Sequence, residues 1–403
     1  MKGNVILTRF QVILMAIAAG ASVANIYYNQ PILREIALSL DVSDNKAGMI
    51  SMLTQIGYGL GLFFITPLGD KISRKRLIII LLTLLDAVLF LMFTAVSIFE
   101  VWVLSILIGI LSVSVHVILP MAASLDSGKK GKTLGTIFSG ILIGILAARL
   151  IGGFVSQLFG WRYVYGLSAL FVMAVAVMLH VNLPDSVNGY QGHYLQLLRS
   201  ALNQFRRFSL LRQTALAGGL LFGLFCTLWT TLTFHLSGPP FNFHPGTISI
   251  FGMVAFAGAL IAPSFGRLAD RGNSSVSLLI SIIMILTGLI FLKIMADSLF
   301  VLIIAMLILN IGLPANQVTN LSIIYTLDQT SNSRINTIYM TTYFVGGAIG
   351  TFLGLICWKL GGWEWVTWQM VLLALAAGVI ILKSIKELGP LTIGTGIRKY
   401  FLR

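Results

Sequence analysis

The chain has 403 residues, of which 57% are hydrophobic and only 10% charged, against about 25% charged in an ordinary soluble domain. So apolar a chain cannot cover a soluble globule with polar groups. Lipid must be the solvent for much of it, which excludes a disordered protein, a secreted disulfide scaffold and a soluble two-domain enzyme. Lys and Arg number 27 against 13 Asp and Glu, a net charge of +14. In a soluble protein that balance points to nucleic acid, and in a membrane protein to basic loops on the cytoplasmic side.

Apolar runs of about 20 residues, the length that crosses a hydrocarbon core, lie near 10–33, 46–66, 77–97, 101–123, 134–157, 163–183, 214–236, 246–265, 277–295, 299–321, 336–358 and 365–384. Helices are expected, because in lipid each backbone group must be satisfied within its own segment. Lys2 and Arg9 before the first run, with Ala21-Ser22-Val23-Ala24 inside it, look faintly like a signal peptide. The polar cluster that follows and the internal repeat both need the segment retained. Between spans six and seven, 185–213 sets Arg199, Arg206 and Arg207 among Leu195, Leu197, Leu198, Leu202 and Phe205. This is the pattern of an amphipathic linker on the membrane surface. It divides the chain into an N-terminal six-helix bundle over 1–184 and a C-terminal one over 214–403 with a short basic tail.

With the N-terminus inside, 21 of the 27 basic residues fall on the cytoplasmic side and five outside, and Arg149 lies within a span. The asymmetry places both termini in the cytoplasm and assigns the positive charge to topology, with no nucleic-acid partner. Cys226 and Cys357 sit in apolar stretches, at no spacing that suggests zinc or a redox pair. Gly131-Lys132-Thr133 looks like the end of a phosphate loop, but Asp126 stands where that pattern needs Gly.

The halves repeat. Leu68-Gly69-Asp70-Lys71 follows span two and Leu268-Ala269-Asp270-Arg271 follows span eight. Gly160-Trp161 closes span five and Gly362-Trp363 closes span eleven. Both halves begin with the same orientation, so the repeat is parallel. On these residues the chain resembles the major facilitator superfamily (MFS) over its whole length. That family's loop signature, G-x-L-A-D-R-x-G-R-K, is matched by Thr66-Pro67-Leu68-Gly69-Asp70-Lys71-Ile72-Ser73-Arg74-Lys75, with Thr66 and Ser73 in place of two glycines. The second copy, Gly266 to Arg271, keeps the first glycine. The antiporter signature of span five, G-x8-G-x3-G-P-x2-G-G, falls on Gly135, Gly144, Ala148, Arg149, Gly152 and Gly153. Ala148 and Arg149 depart from it, and the kink that Pro brings goes with them. Ala24 to Pro31, Trp229-Thr230-Thr231 and Arg334 to Met340 are similar to bacterial drug-efflux facilitators of the drug:proton antiporter kind. The span-four arginine of many such antiporters is replaced by Ser105.

The resemblance implies an all-α polytopic fold: twelve transmembrane helices in two pseudo-symmetric six-helix bundles. It also implies a gate latch in the paired loops, with Asp70, Lys71, Arg74, Asp270 and Arg271 as its residues, and helix packing through Gly135, Gly144, Gly152 and Gly153. Ionisable groups inside spans cost roughly 2.5–3.5 kcal/mol each at the centre, so Asp86, His116 and Arg149 are functional candidates. Arg149 cannot carry a proton. It suits an anionic or carbonyl-bearing substrate, a partner such as Asp86, or snorkelling to the interface. His116 titrates in a range that suits proton coupling, or is a neutral, hydrogen-bonded core residue. Asp86 is a proton site or a protonated, hydrogen-bonded carboxyl.

In helices that line the cavity in the family stand Asn25, Tyr28, Asn29, Gln30, Gln55, Trp229, Asn310, Gln317 and Tyr339. Amides with aromatics suit an amphiphilic organic molecule, and each is equally open to plain helix–helix hydrogen bonding. Asn310 precedes Gly312 and Pro314, an interruption of the kind found near transporter sites. The reading is a non-enzymatic secondary active transporter that exports a small amphiphilic or drug-like compound by alternating access. It exchanges protons, draws on the proton gradient without cofactor or metal, and is a lipid-embedded monomer of the bacterial inner membrane. An importer or facilitator of a nutrient or metabolite, and a non-transporting membrane sensor or scaffold, are the alternatives.

Overall fold

The computed structural model describes residues 7–125, 130–184, 194–294, 297–328 and 331–388; the two ends of the chain lie outside them. Their regular structure is helical throughout. In chain order the helices are α1 (Arg9–Tyr27), α2 (Leu33–Ser39), α3 (Asp44–Phe64), α4 (Leu68–Lys71), α5 (Arg74–Thr94), α6 (Ile98–Leu111), α7 (Val115–Leu125), α8 (Lys130–Phe159), α9 (Trp161–Asn182), α10 (Tyr194–Arg207), α11 (Ser209–Ser237), α12 (Pro245–Ala259), α13 (Ala262–Leu268), α14 (Ser274–Ile294), α15 (Leu299–Tyr325) and α16 (Asn332–Leu388). Their starts are written in the sequence. Thr8 with Gln11 and Ser97 with Glu100 form capping boxes on α1 and α6, and Ser43 and Ser73 cap α3 and α5. Each cap satisfies an N–H that the helix itself leaves open.

Among the described residues ten helical stretches are long and apolar enough to cross a membrane, and Pro245–Gly258 is a shorter apolar helix. The longest stretch, α16, breaks at Gly361–Gly362. The architecture is therefore a bundle of ten to twelve apolar helices, with large apolar side chains such as Phe90, Phe171, Ile283 and Leu372 on the outside. The repeated Gly-Trp pairs have a geometric cause. Gly160 has φ 95 and Gly362 has φ 60, a left-handed backbone that only glycine adopts cheaply. The tryptophans that follow, Trp161 and Trp363, are buried. Each pair is a corner that turns one helix into the next.

Two compact units form. One gathers residues within Met1–Leu198 and Leu232–Gly252, the other those within Arg199–Thr231 and Met253–Arg403. In the first, α1 lies against α8 backbone to backbone. A Cβ on Gly20 would come to 2.5 Å from the Gly140 carbonyl oxygen, and Gly140 and Gly144 face Ala16 and Gly20 in return. Gly57, Gly61 and Gly109 join α3 to α6 in the same way. In the second unit α11 packs on α16. A Cβ on Gly223 would lie 2.7 Å from the Gly346 oxygen, and Thr227 Oγ1 donates to the Gly350 oxygen at 2.7 Å. Lipid gives helices no hydrophobic reason to associate, so small residues that allow close approach hold them together.

Gly135 differs from Gly140, Gly144, Gly152 and Gly153 of α8, because a Cβ there would meet nothing within 4 Å. Gly135→Ala should therefore stabilise the protein by about 0.5–1 kcal/mol through helix propensity. Gly144→Ala, with the same propensity gain, should lose about 1–3 kcal/mol to overpacking. Thermal unfolding of the purified protein checks this: the two midpoints should fall on opposite sides of wild type.

Candidate functional site

Arg149 is the centre of the best-defined polar site. It sits on α8 and is 3% exposed, so its head does not snorkel to an interface. Its Nε donates to Gln30 Oε1 at 3.0 Å, and its Cζ lies 5.3 Å from the Tyr27 ring centroid, within cation–π range. Gln30 is held in turn, since its backbone oxygen accepts from Thr233 Oγ1 at 2.6 Å. The N-terminal half of α12 closes the other flank. A Cβ on Gly252 would meet Arg149 Cβ at 3.1 Å, and one on Gly153 would meet Pro245 O and Ser249 Cβ, each at 2.5 Å. Gln157 Oε1 accepts the Gly246 N–H at 3.1 Å and so caps α12 from a different helix. Gly152 faces the Tyr28 backbone. Two of the signature glycines of span five, Gly152 and Gly153, thus shape the wall beside a buried, permanent cation.

A second pair joins α3 to α7. His116 Nε2 lies 3.0 Å from the Tyr58 hydroxyl, with the rings edge to face at 5.8 Å. The neighbouring amides divide into two kinds. Asn25 donates to Ala21 O and accepts from Ser168 Oγ at 2.8 Å, and Asn29 accepts from Ser51 Oγ at 2.7 Å. Their polar groups are spent on helix–helix bonding. Gln55 Oε1 is buried and accepts no hydrogen bond from the described residues.

Asp86 stands apart from the Arg149 site. It lies half-buried on α5 beside exposed Leu84 and Phe90 and has no ion pair or hydrogen bond with any described residue, Arg149 included. The reason is its place on the helix, on the border of the lipid-facing stripe and away from the buried one.

In the second unit, Asn310 is buried and donates to Met306 O at 2.7 Å, while its backbone takes the close approach of Gly258. Asn316 donates to Ser281 Oγ at 3.1 Å, and Asn320 donates to Asn316 Oδ1 at 2.8 Å. Gln317 is half-buried. Tyr339 and Trp229 are buried within an aromatic cluster in which Tyr339 stacks on Tyr343 at 5.9 Å and Tyr343 on Phe222 at 4.1 Å.

The paired loops are tied down alike. Arg74 pairs with Asp70 at 3.2 Å and donates to Gly69 O, Pro120 O and Ser124 Oγ, which pins the loop to the end of α7. In the second copy Ser322, near the end of α15, donates to Asp270 Oδ1 at 2.7 Å. Lys71 is exposed, and the side chain of Arg271 lies outside the described residues.

Thr233, Gln157, Ser51 and Ser168 were not legible as partners, since a lone Ser, Thr or Gln in an apolar run carries no pattern. The α11–α16 glycines did carry one. Gly219 and Gly223, and Gly346 and Gly350, each show small-xxx-small spacing.

Apolar helices long enough to cross a membrane, with polar side chains buried among them and two tethered loops, are the make-up of a polytopic membrane protein. The Major Facilitator Superfamily model matches residues 14–351, and the chain belongs to that family. It is 36% identical to YgaY, an uncharacterized transporter of Escherichia coli O157:H7, over 91% of this chain and 93% of that one. It is 22% identical to the uncharacterized MFS-type transporter YybF of Bacillus subtilis, over 90% and 91%. Among solved structures, a bacterial homologue of the human lysosomal transporter Spinster, in an inward-facing and occupied conformation, superposes with a TM-score of 0.73 over 94% of this chain and 95% of that one. At 13% identity this last likeness is one of fold.

Gln30→Leu strands the buried Nε donor of Arg149 and should cost about 1–3 kcal/mol, read as a lower thermal midpoint. Thr233→Val removes a single bond to a backbone oxygen and should cost about 0.5–1.5 kcal/mol. Equal losses would deny Arg149 its dependence on Gln30.

Proposed function

We propose that this transporter exports a small amphiphilic organic compound bearing an anionic or carbonyl group, by alternating access and in exchange for protons. The observation that carries the reading is Arg149, a permanent cation kept at 3% exposure and oriented by Gln30. Burying a charge in a membrane helix is costly, so such residues mark substrate or ion pathways. Tyr27, Tyr28 and Gln30 around it supply aromatic faces and an amide that suit an amphiphile, and Asn310, Gln317, Trp229 and Tyr339 are proposed substrate-binding residues of the second unit. His116, hydrogen-bonded to Tyr58, is the proposed proton carrier, because an imidazole can take up and release a proton where a guanidinium cannot. The tethered Asp70–Arg74 and Asp270 loops are the proposed cytoplasmic latches.

The charge distribution supports twelve spans in a bacterial inner membrane with both termini in the cytoplasm. A membrane-impermeant thiol reagent on intact cells should then label Val96→Cys, at a site 73% exposed in the wild type. It should reach Lys71→Cys only after the membrane is opened, and the reverse pattern would invert the topology.

A thermal-shift screen of the purified protein supplies the ligand. In proteoliposomes wild type should transport it, and Arg149→Ala should lose transport while keeping its helical content and elution profile. Undiminished transport by Arg149→Ala would remove the residue from the site.

A further inference from the structure

Helix α10 is amphipathic in a way that one partner does not satisfy. Its inner stripe, Leu197, Leu198, Ala201 and Gln204, is buried. Gln204 Nε2 donates to Ser331 Oγ at 3.4 Å, Arg207 pairs with Asp328 at 3.5 Å, and the Tyr194 hydroxyl donates to Phe64 O. The opposite stripe is Leu195, Arg199, Leu202 and Arg206, spaced as one helical face. Leu195 is 74% exposed and Leu202 47%. Arg199 and Arg206 are exposed too, and neither forms an ion pair with a described residue. A helix fixed along its inner stripe cannot turn to hide the outer one.

We infer that the outer stripe of α10 docks on a membrane surface rich in anionic headgroups, which makes the linker an anionic-lipid-binding element. Charge names the occupant. From residue 186 to residue 269 the sequence holds no Asp or Glu, so the outer stripe of α10 has no acidic side chain in its own helix to oppose a negative surface. The alternation of residues then matches the layering of the interface, with guanidinium groups at the phosphates and leucines at the acyl boundary. A soluble anion would leave the leucines in water, and an apolar protein face would leave the arginines without counter-charge.

The test uses the full-length chain with an environment-sensitive dye on Asn203→Cys, which lies beside the stripe, in a background with Cys226 and Cys357 replaced by Ala. It is reconstituted in phosphatidylcholine vesicles and in equal mixtures of phosphatidylcholine and phosphatidylglycerol. Emission should shift to the blue in the mixed vesicles. The shift should be lost in 1 M salt, where the Debye length falls to about 3 Å, and in Arg199→Gln/Arg206→Gln. Soluble glycerol phosphate should leave the emission in neutral vesicles unchanged. Equal emission in the two vesicles, a shift that survives the double substitution, or one produced by glycerol phosphate would overturn the proposal. If the labelled protein does not fold, phosphatidylglycerol co-purifying with unlabelled wild type is compared with that on Arg199→Gln/Arg206→Gln. A reduced yield on the variant supports the inference and an equal yield overturns it.

Discussion

Inside hydrocarbon, an N–H or C=O without a protein partner costs several kcal/mol. The backbone meets this by helix formation, and the caps at Thr8, Ser43, Ser73 and Ser97 extend the same satisfaction to the helix starts. The same solvent removes the usual reason for helices to pack, since lipid tails are as apolar as leucine. Close contact must then come from shape. Gly20, Gly140 and Gly144 supply it between α1 and α8, and Gly219, Gly223, Gly346 and Gly350 supply it between α11 and α16. Each of these contacts joins the first and fifth spans of a half, so the internal repeat extends to the packing device itself.

Against that background the polar side chains sort by how they are answered. Asn25, Asn29 and Asn316 are answered by Ser168, Ser51 and Ser281 and tie separate helices together, and Asn320 is answered by Asn316 one turn earlier on α15. Arg149 is of another kind. A guanidinium offers five donors and cannot discharge itself by losing a proton. The Gln30 amide and the Tyr27 ring face are among the contacts that orient such a group. The glycines at 152, 153 and 252 matter here for what they omit, because a side chain at any of them would meet Tyr28, Ser249 or Arg149 itself.

Much of this was legible in the sequence, because lipid imposes simple rules. Span lengths, the basic asymmetry and the paired loops all follow from composition and spacing. The Gly-Trp pairs were read as markers of a repeat, and the structure shows the cause in the left-handed corners at Gly160 and Gly362. Direction around a helix is what the sequence left open. Gly135 lies on the signature register of span five yet faces open space, and Asp86 lies mid-span yet borders the lipid-facing stripe. Register gives the height of a residue along a span, whereas the face it presents depends on which neighbours the helix meets. Partners such as Thr233 and Gln157 are set by tertiary approach alone.

The central claim is that transport draws on protons moving the opposite way. The direct measurement is flux of the identified ligand in proteoliposomes as the imposed pH gradient is varied and then reversed. Flux that grows with the gradient and changes direction when the gradient is reversed is the predicted result. Flux of the same rate at every gradient, running only down the ligand's own concentration difference, would contradict it.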